Sequence, residues 1–269
     1  MASLAQDSLL ETSSAPALAR WDDVLRLQVD LSFAHELACL RALPSWQGAK
    51  LILDAGCGNG YFVSRLAAFF PDKQFVGIDL SPDLIDLARR RAHPGNASFA
   101  QSDLFAHAAA VPYDLVLMRF LVQHLSDLDA LLRHARTLLR SGGELLIVEP
   151  DFAASVNLPP MPLFHELFER FERHRIAAGH IPVRTESGAA LLAGVPGWRV
   201  VRDDRIAVPH VGPFDGHLRQ VFLGWIELCE TMSDFCFDGR AVRREVEAWT
   251  ARRDAFTQIT LKVVGLAPV

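Results

Sequence analysis

The sequence predicts an α/β fold built on a doubly wound, mostly parallel seven-stranded sheet, with helices on both faces and an inserted helical lid. Three observations predict it. Short apolar runs alternate with segments of helical period from residue 49 to residue 149. Those apolar runs lack strict in-out alternation, as expected of parallel strands covered by helices on both faces. The first of them ends in a glycine-rich turn.

Residues 1–19 read as a lead-in rich in Ser and Ala, with no sustained apolar period. From Trp21 onward Val24, Leu27, Leu31, Ala34 and Leu37 recur at spacings of three and four, one face of an amphipathic helix that Pro44 ends. AKLILDAG is the first strand and YFVSRLAAFF the helix behind it, stopped by Pro71. KQFVGID is the second strand. Ser81 then caps a helix in which Pro82 suits the first turn, and Asp83 and Asp86 complement the dipole. ASFAQSD and YDLVLM are the third and fourth strands. Ser126-Asp127-Leu128-Asp129 opens a helix expected to reach Arg140, with Gly142 and Gly143 as its left-handed exit. ELLIVE is the fifth strand and LPPMP a linker. FHELFERFERHRIAAG is a helix with Phe164, Leu167, Phe168 and Phe171 on one side, and ESGAALLAG a shorter one. WRVVRDDRIAV and FTQITLKVVGLA are the last two strands, and residues 213–255 between them read as two helices. A connection that long is more than a hairpin turn and is expected to cover a site. The chain thus divides into a lead-in and lid helix (1–44), an α/β core (45–150), and the rest of the core with inserted helices near 160–180 and 213–255.

Composition narrows the function classes. The 269 residues are 50% hydrophobic and 22% charged, enough for a large core without staples. A net charge of −5 offers no general attraction to nucleic acid or to anionic membrane. No apolar run approaches the ~18 residues that span a bilayer, and the N-terminus lacks a basic and apolar leader. Cys39, Cys57, Cys229 and Cys236 form no CxxC, which fits reduced thiols in a cytoplasm and no metal centre. The run around Arg240, Arg243 and Arg244 reads as a solvated helix face.

The sharpest signal is Leu53-Asp54-Ala55-Gly56-Cys57-Gly58-Asn59-Gly60-Tyr61, at the carboxyl end of the first strand, where open α/β sheets bind ligands. Glycines there allow close backbone approach and an immediate helix start. Asp79 ends the second strand, 25 residues after Asp54, where a carboxylate accepts both hydroxyls of a ribose. A dinucleotide site would read G-x-G-x-x-G, whereas these glycines fall at 56, 58 and 60. Asp54 would also repel a pyrophosphate and suits a ligand that carries an ammonium group.

DAGCGNG, VGIDLSP, QSDLF, FLVQHL and LLRSGGELLIVE together resemble the class I S-adenosylmethionine-dependent methyltransferases, over residues 20–150 and more weakly in the last two strands. YDLVLMRFLVQHL followed by LLRSGG is similar to bacterial members that modify small molecules, including those of secondary metabolism. The resemblance implies a Rossmann-like sheet and a role for each matching residue. Asp54 meets the methionine ammonium. Ala55, Gly56 and Gly58 bring backbone against the carboxylate and sulfonium arm. Asp79 holds the ribose hydroxyls and Leu80 packs on the adenine. Ser102, Asp103 and Leu104 border the adenine, with Asp103 accepting from its amine. Arg119 lies beside the methionine end through its backbone, and His124 supports the loop. The expected partner is a small, fairly apolar acceptor, with neither nucleic acid nor membrane, and the expected assembly is a homodimer. No catalytic base is assigned. His35, His124, His165 and His180 flank the mouth of the sheet, and Glu149 ends the fifth strand on the same side. Alternatives are a protein or RNA methyltransferase, or a non-catalytic protein that keeps the fold.

Overall fold

The computed structural model describes residues 15–269, except 92, 184, 185, 194, 213, 215, 233 and 234. The expected lead-in at 1–14 lies outside the described residues. Residues 15–19, expected to be irregular, open a helix instead.

Five parallel strands form the centre: β1 (Leu51–Ala55), β2 (Gln74–Asp79), β3 (Ala97–Gln101), β4 (Tyr113–Arg119) and β5 (Leu139–Pro150). Their order in the sheet is β3-β2-β1-β4-β5, so the chain reverses direction of travel between β1 and β4. The last strand, β8 (Phe256–Pro268), runs antiparallel against β5, and β7 (Trp198–Val211) pairs with its other edge. A short strand, β6 (Val156–Leu158), pairs with the start of β8 and continues the line of β5. It falls at the edge of the stretch read as a linker, and three residues are too few to announce themselves by period.

Nine helices are described: α1 (Ala15–Arg41), α2 (Pro44–Gly48), α3 (Tyr61–Phe69), α4 (Pro82–Arg90), α5 (Leu128–Leu138), α6 (Pro162–Ala177), α7 (Gly188–Leu191), α8 (His217–Glu230) and α9 (Gly239–Thr250). Local chemistry sets several starts. Ser81 Oγ accepts from the Leu84 N–H at 3.3 Å, and Asp127 Oδ1 from the Ala130 N–H at 2.8 Å. Pro44, Pro82 and Pro162 occupy first-turn positions, where a missing N–H costs nothing. Pro44 therefore opens α2 rather than closing α1, which stops at Arg41.

Two expectations need correction. α5 ends at Leu138, not Arg140, and residues 139–143 already belong to β5. Gly142 does take a left-handed φ of 77°, but within an irregular stretch of that strand. Gly143 is held by space instead, since a Cβ there would lie 3.0 Å from the Tyr113 carbonyl. On α1, the buried side is Val29, Phe33, Leu37 and Leu40 together with Ser32 and Glu36, while Ala34 is exposed. The apolar period pointed slightly off this face because two of its members are polar.

Two apolar clusters sandwich the sheet. One holds α1, α3, α6, α8 and α9 against it through residues such as Phe33, Leu66, Phe164, Phe222 and Trp249. The other packs α5 against β4 and β5 through Leu131, Leu132 and Leu138. At ~25 cal/mol per Å² of apolar surface removed from water, these faces supply the main drive for the fold.

Candidate active site

At the carboxyl ends of β1, β2 and β4 the chain opens a cleft whose walls come from α1 as well as from α6 and α8. It holds about 1210 Å³ of empty space, open mouth included.

The glycine turn forms the floor. Gly56 and Cys57 donate their N–H groups to the Ile78 carbonyl at 2.8 and 2.9 Å, tying the turn to β2. Gly56, Gly58 and Gly60 all have positive φ (75°, 56° and 70°), a conformation that only glycine adopts cheaply. Their surroundings divide their roles. A Cβ at Gly60 would meet Phe99 and Ala88 at 2.6 and 2.7 Å, and one at Gly56 would meet Leu121 at 2.9 Å. A Cβ at Gly58 would find only Leu25, at 3.4 Å, because Gly58 faces the cleft. Asn59 anchors the turn to α1: its Nδ2 donates to Asp22 Oδ1 at 2.7 Å while its Oδ1 accepts from the Tyr61 N–H at 3.1 Å.

Two carboxylates dominate the electrostatics. Asp54, 3% exposed, is the last residue but one of β1, with Oδ1 buried and without a hydrogen-bond partner. Burial pushes its pKa up to about 7; the Arg119 charge opposes this, and Glu36 and Asp79 add to it. Asp79 accepts from the Gly58 N–H at 2.8 Å and the Ser81 N–H at 2.9 Å. Burial raises its pKa too, against those backbone donors. Burial and the two carboxylates push the Cys57 thiol well above its usual range, so it is an inert neutral group.

Of the residues singled out in the sequence, Asp54, Gly56, Gly58, Asp79 and Arg119 line this one cleft, and His124 joins them. Ala55, Leu80, Ser102, Asp103 and Leu104 are not in its lining. Ala55 is wholly buried and Leu80 is 42% exposed. Asp103 Oδ1 accepts from the Phe105 N–H at 2.9 Å, capping a short turn that begins at Leu104. Glu149 is also outside the lining; its Oε1 accepts from the Gln123 N–H at 3.2 Å, which ties the end of β5 to the loop after β4. His165 lies beside Glu169 on the outer side of α6, at 3.4 Å.

Several residues escaped sequence reading. Arg119 engages through its side chain: Nε donates to Glu36 Oε2 at 2.8 Å, and the guanidinium lies 4.1 Å over the Phe120 ring. The signal available was a lone Glu on the buried side of a helix. Phe120 has φ 57°, an unfavourable conformation for a bulky residue that costs on the order of 1–3 kcal/mol. It is held by its N–H donating to the Val148 carbonyl at 2.8 Å and by Gln123 Nε2 donating to its own carbonyl at 3.2 Å. Arg175, buried on α6, donates to the Gln123 carbonyl. Strain of the Phe120 kind collects at ligand sites, and Phe120 lines this cleft.

Opposite the carboxylates the wall is aromatic. Phe152 stacks on Phe168 with centroids 4.0 Å apart, and Trp225 meets Phe152 edge-on at 5.2 Å. Phe171, Leu228 and Cys229 complete it. α9, expected to share in covering the site, is not in the lining; it packs behind α6 and α8. Among the described residues no group of three or more His, Cys, Asp or Glu side chains is placed to hold a metal ion, and no helix is long and apolar enough to cross a membrane.

Residues 53–145 match the family described as methyltransferase domain. The match takes in the glycine turn and the strands β2, β3 and β4. In particular, the chain is similar to a trans-aconitate 2-methyltransferase of Methylobacterium radiotolerans, 31% identical over 50% of this chain and 51% of that one. It is also similar to a malonyl-[acyl-carrier protein] O-methyltransferase of Bacillus cytotoxicus, 27% identical over 65% of this chain and 59% of that one. The chain thus spans between half and three-fifths of the length of these two curated relatives. The fold matches a solved Escherichia coli protein, YjhP, with a TM-score of 0.50, 18% identity, and coverage of 89% of this chain and 91% of that one.

Proposed function

We propose that the chain transfers the methyl group of S-adenosylmethionine to oxygen, nitrogen or carbon of a small, fairly apolar acceptor. The observation that carries this reading is the buried Asp54 oxygen without a partner, set beside a glycine that opens onto the cleft. Such an oxygen in a dry site calls for a cationic ligand group, and the methionine ammonium is one. The cleft residues fit the cofactor: Asp54 takes the ammonium, Gly56 and Gly58 present backbone to the methionine arm, and Asp79 accepts from ribose hydroxyls. When bound, the cofactor supplies an electrophilic methyl on a sulfonium, with a neutral thioether as leaving group. The chain's own task is orientation and exclusion of water. Holding an acceptor in line with the methyl supplies on the order of 7–11 kcal/mol of the barrier, so no base is required of the protein for an acceptor that is already nucleophilic.

The acceptor class follows from the opposite wall. Phe120, Phe152, Phe168, Phe171 and Trp225 form an apolar surface. Among the described lining residues Arg119 is the one Lys or Arg, and Glu36 already partners it. The names of the two relatives specify a tricarboxylate and a malonyl thioester, both anionic, and a second free cation for such a group is not in this lining. A neutral planar or aliphatic acceptor suits it better, as in a secondary-metabolite pathway. The test is transfer of labelled methyl from S-adenosylmethionine to a panel of neutral aromatic acceptors and carboxylic acids. Transfer to the neutral set is expected; preference for the acids, or transfer to neither, would overturn the assignment.

Two variants probe the two walls. Asp79→Ala is expected to weaken cofactor binding by roughly 1–3 kcal/mol, since it removes acceptors from two hydroxyls and also frees the Gly58 amide. Unchanged affinity by titration would remove Asp79 from the ribose site. Trp225→Ala is expected to raise the acceptor KM or lower kcat, with cofactor affinity unchanged per folded molecule. Trp225 also packs in the core at 8% exposure, so the variant should lose up to ~3–5 kcal/mol of stability. If kinetic parameters corrected for folded protein match the wild type, Trp225 serves packing alone.

A further inference from the structure

Arg119 stands at the end of β4, near enough to Asp54 for its charge to be felt there, yet its guanidinium is committed elsewhere. Its Nε donates to Glu36 Oε2 at 2.8 Å and its Nη2 reaches Ser32 Oγ at 3.3 Å, while Ser32 Oγ itself donates to Glu36 Oε1. The guanidinium also lies over the Phe62 and Phe120 rings, at 5.1 and 4.1 Å. Glu36 is 3% exposed and rides on α1, the helix that brings Trp21, Leu25, Gln28 and Val29 to the cleft. Arg119 and Asp54 line the same cleft, and a buried carboxylate left without a partner is costly, so a guanidinium free to reach it would be expected to pair with it.

We propose that Glu36 is a positioning residue that holds the Arg119 guanidinium away from Asp54 and so reserves the Asp54 carboxylate for a cationic ligand group. Glu36 is not itself part of the cleft lining, and it acts through Arg119, which is. The inference rests on the proposed role of Asp54 toward the methionine ammonium. Its device is charge diversion: with Glu36 neutral, Arg119 turns to Asp54, and the ligand must then compete with an internal guanidinium. Because Glu36 belongs to α1, docking of that helix and readiness of Asp54 become one event.

The groups facing Asp54 are Arg119 from β4, Glu36 from α1, Asp79 from β2, the Cys57 thiol in the turn and His124 on the cleft wall. Of these, Glu36→Gln changes one charge and keeps the shape of the side chain. Two readouts on the full chain separate the claims. The Asp54 carboxyl is followed by NMR titration without ligand, and S-adenosylhomocysteine affinity is measured by calorimetry at pH 8. In Glu36→Gln the Asp54 midpoint is expected to fall by about one pH unit, through loss of the Glu36 charge together with the approach of Arg119, and affinity is expected to drop about tenfold as Arg119 moves over. Adding Arg119→Met to Glu36→Gln removes the competitor and should restore most of that affinity. Ser32→Ala, which deletes the hydroxyl but no charge, should leave the Asp54 midpoint in place. An unmoved midpoint in Glu36→Gln, equal loss of affinity in Ser32→Ala, or no recovery in the double variant would overturn the proposal. If the wild type binds no S-adenosylhomocysteine the cofactor reading fails by itself, and the ligand-free midpoints still decide whether Glu36 controls Asp54. Should Glu36→Gln not fold, the same comparison is made between the wild type and the neutral double variant: if diversion keeps Asp54 available, the double variant binds S-adenosylhomocysteine within about threefold of the wild type, and a larger loss contradicts it.

Discussion

Gly58→Val is expected to abolish binding of S-adenosylmethionine. Gly58 is the member of the glycine turn whose missing side chain leaves open space, with Leu25 the nearest neighbour at 3.4 Å. A branched side chain would fill the floor of the cleft where the methionine arm needs backbone contact. It would also sit at φ 56°, a region where a β-branched residue costs on the order of 1–3 kcal/mol. That penalty is modest beside the stability of a chain this size, so the variant should remain folded, with a lowered melting temperature and no thermal shift on adding ligand. Gly60→Val provides the contrast. A Cβ there collides with Phe99 and Ala88 at 2.6 and 2.7 Å, so that variant should fail chiefly by unfolding. Normal binding by a folded Gly58→Val protein would withdraw the turn from the cofactor site.

The second large effect is on pH. Asp54 titrates near 7 because burial disfavours its charge, with Glu36 and Asp79 adding to the effect and Arg119 opposing it. The ligand ammonium pairs with the ionised form. Affinity should therefore be at its plateau above pH 8 and fall through the range below 7 by up to about tenfold per pH unit. Stability without ligand runs the other way. The folded pKa lies above the unfolded one, so the folded state holds the extra proton between pH 4 and 7. The stability it contributes is full below about pH 4 and is lost as pH rises through 7. Ligand-induced thermal stabilisation should then be larger at pH 8 than at pH 6. Asp54→Asn should flatten the profile and cost roughly 1.5–3 kcal/mol of affinity at pH 8, the worth of a hydrogen bond to a charged group. A pH-independent affinity in the wild type would remove Asp54 from the ammonium site.

The core of the fold was legible because its signals are local. Strand ends, the Ser81 and Asp127 caps and the three glycines each follow from nearby residues, and they place Asp54 and Asp79 at neighbouring strand ends. The helices of 213–255 were legible as a cover for the site, but not which of their side chains would reach it. Trp225 and Cys229 line the cleft whereas Phe222 lies wholly in the core. Glu36 was hidden for another reason. Its partner Arg119 is 83 residues away, and a charged residue inside an apolar period reads as solvent-facing until its counter-ion is seen. β6 and the early end of α5 were missed because a three-residue strand and a bulged Ser-Gly-Gly stretch carry no period of their own. The positive φ of Phe120 has no sequence signal, since the hydrogen bond that holds its N–H goes to Val148 on a neighbouring strand.

The measurement that bears most directly on the central claim is a calorimetric titration of the full chain with S-adenosylmethionine at pH 8. The account predicts one saturable site per chain, lost in Gly58→Val and weakened in Asp54→Asn. A flat titration of folded wild-type protein at millimolar ligand, or equal binding by all three proteins, would contradict it.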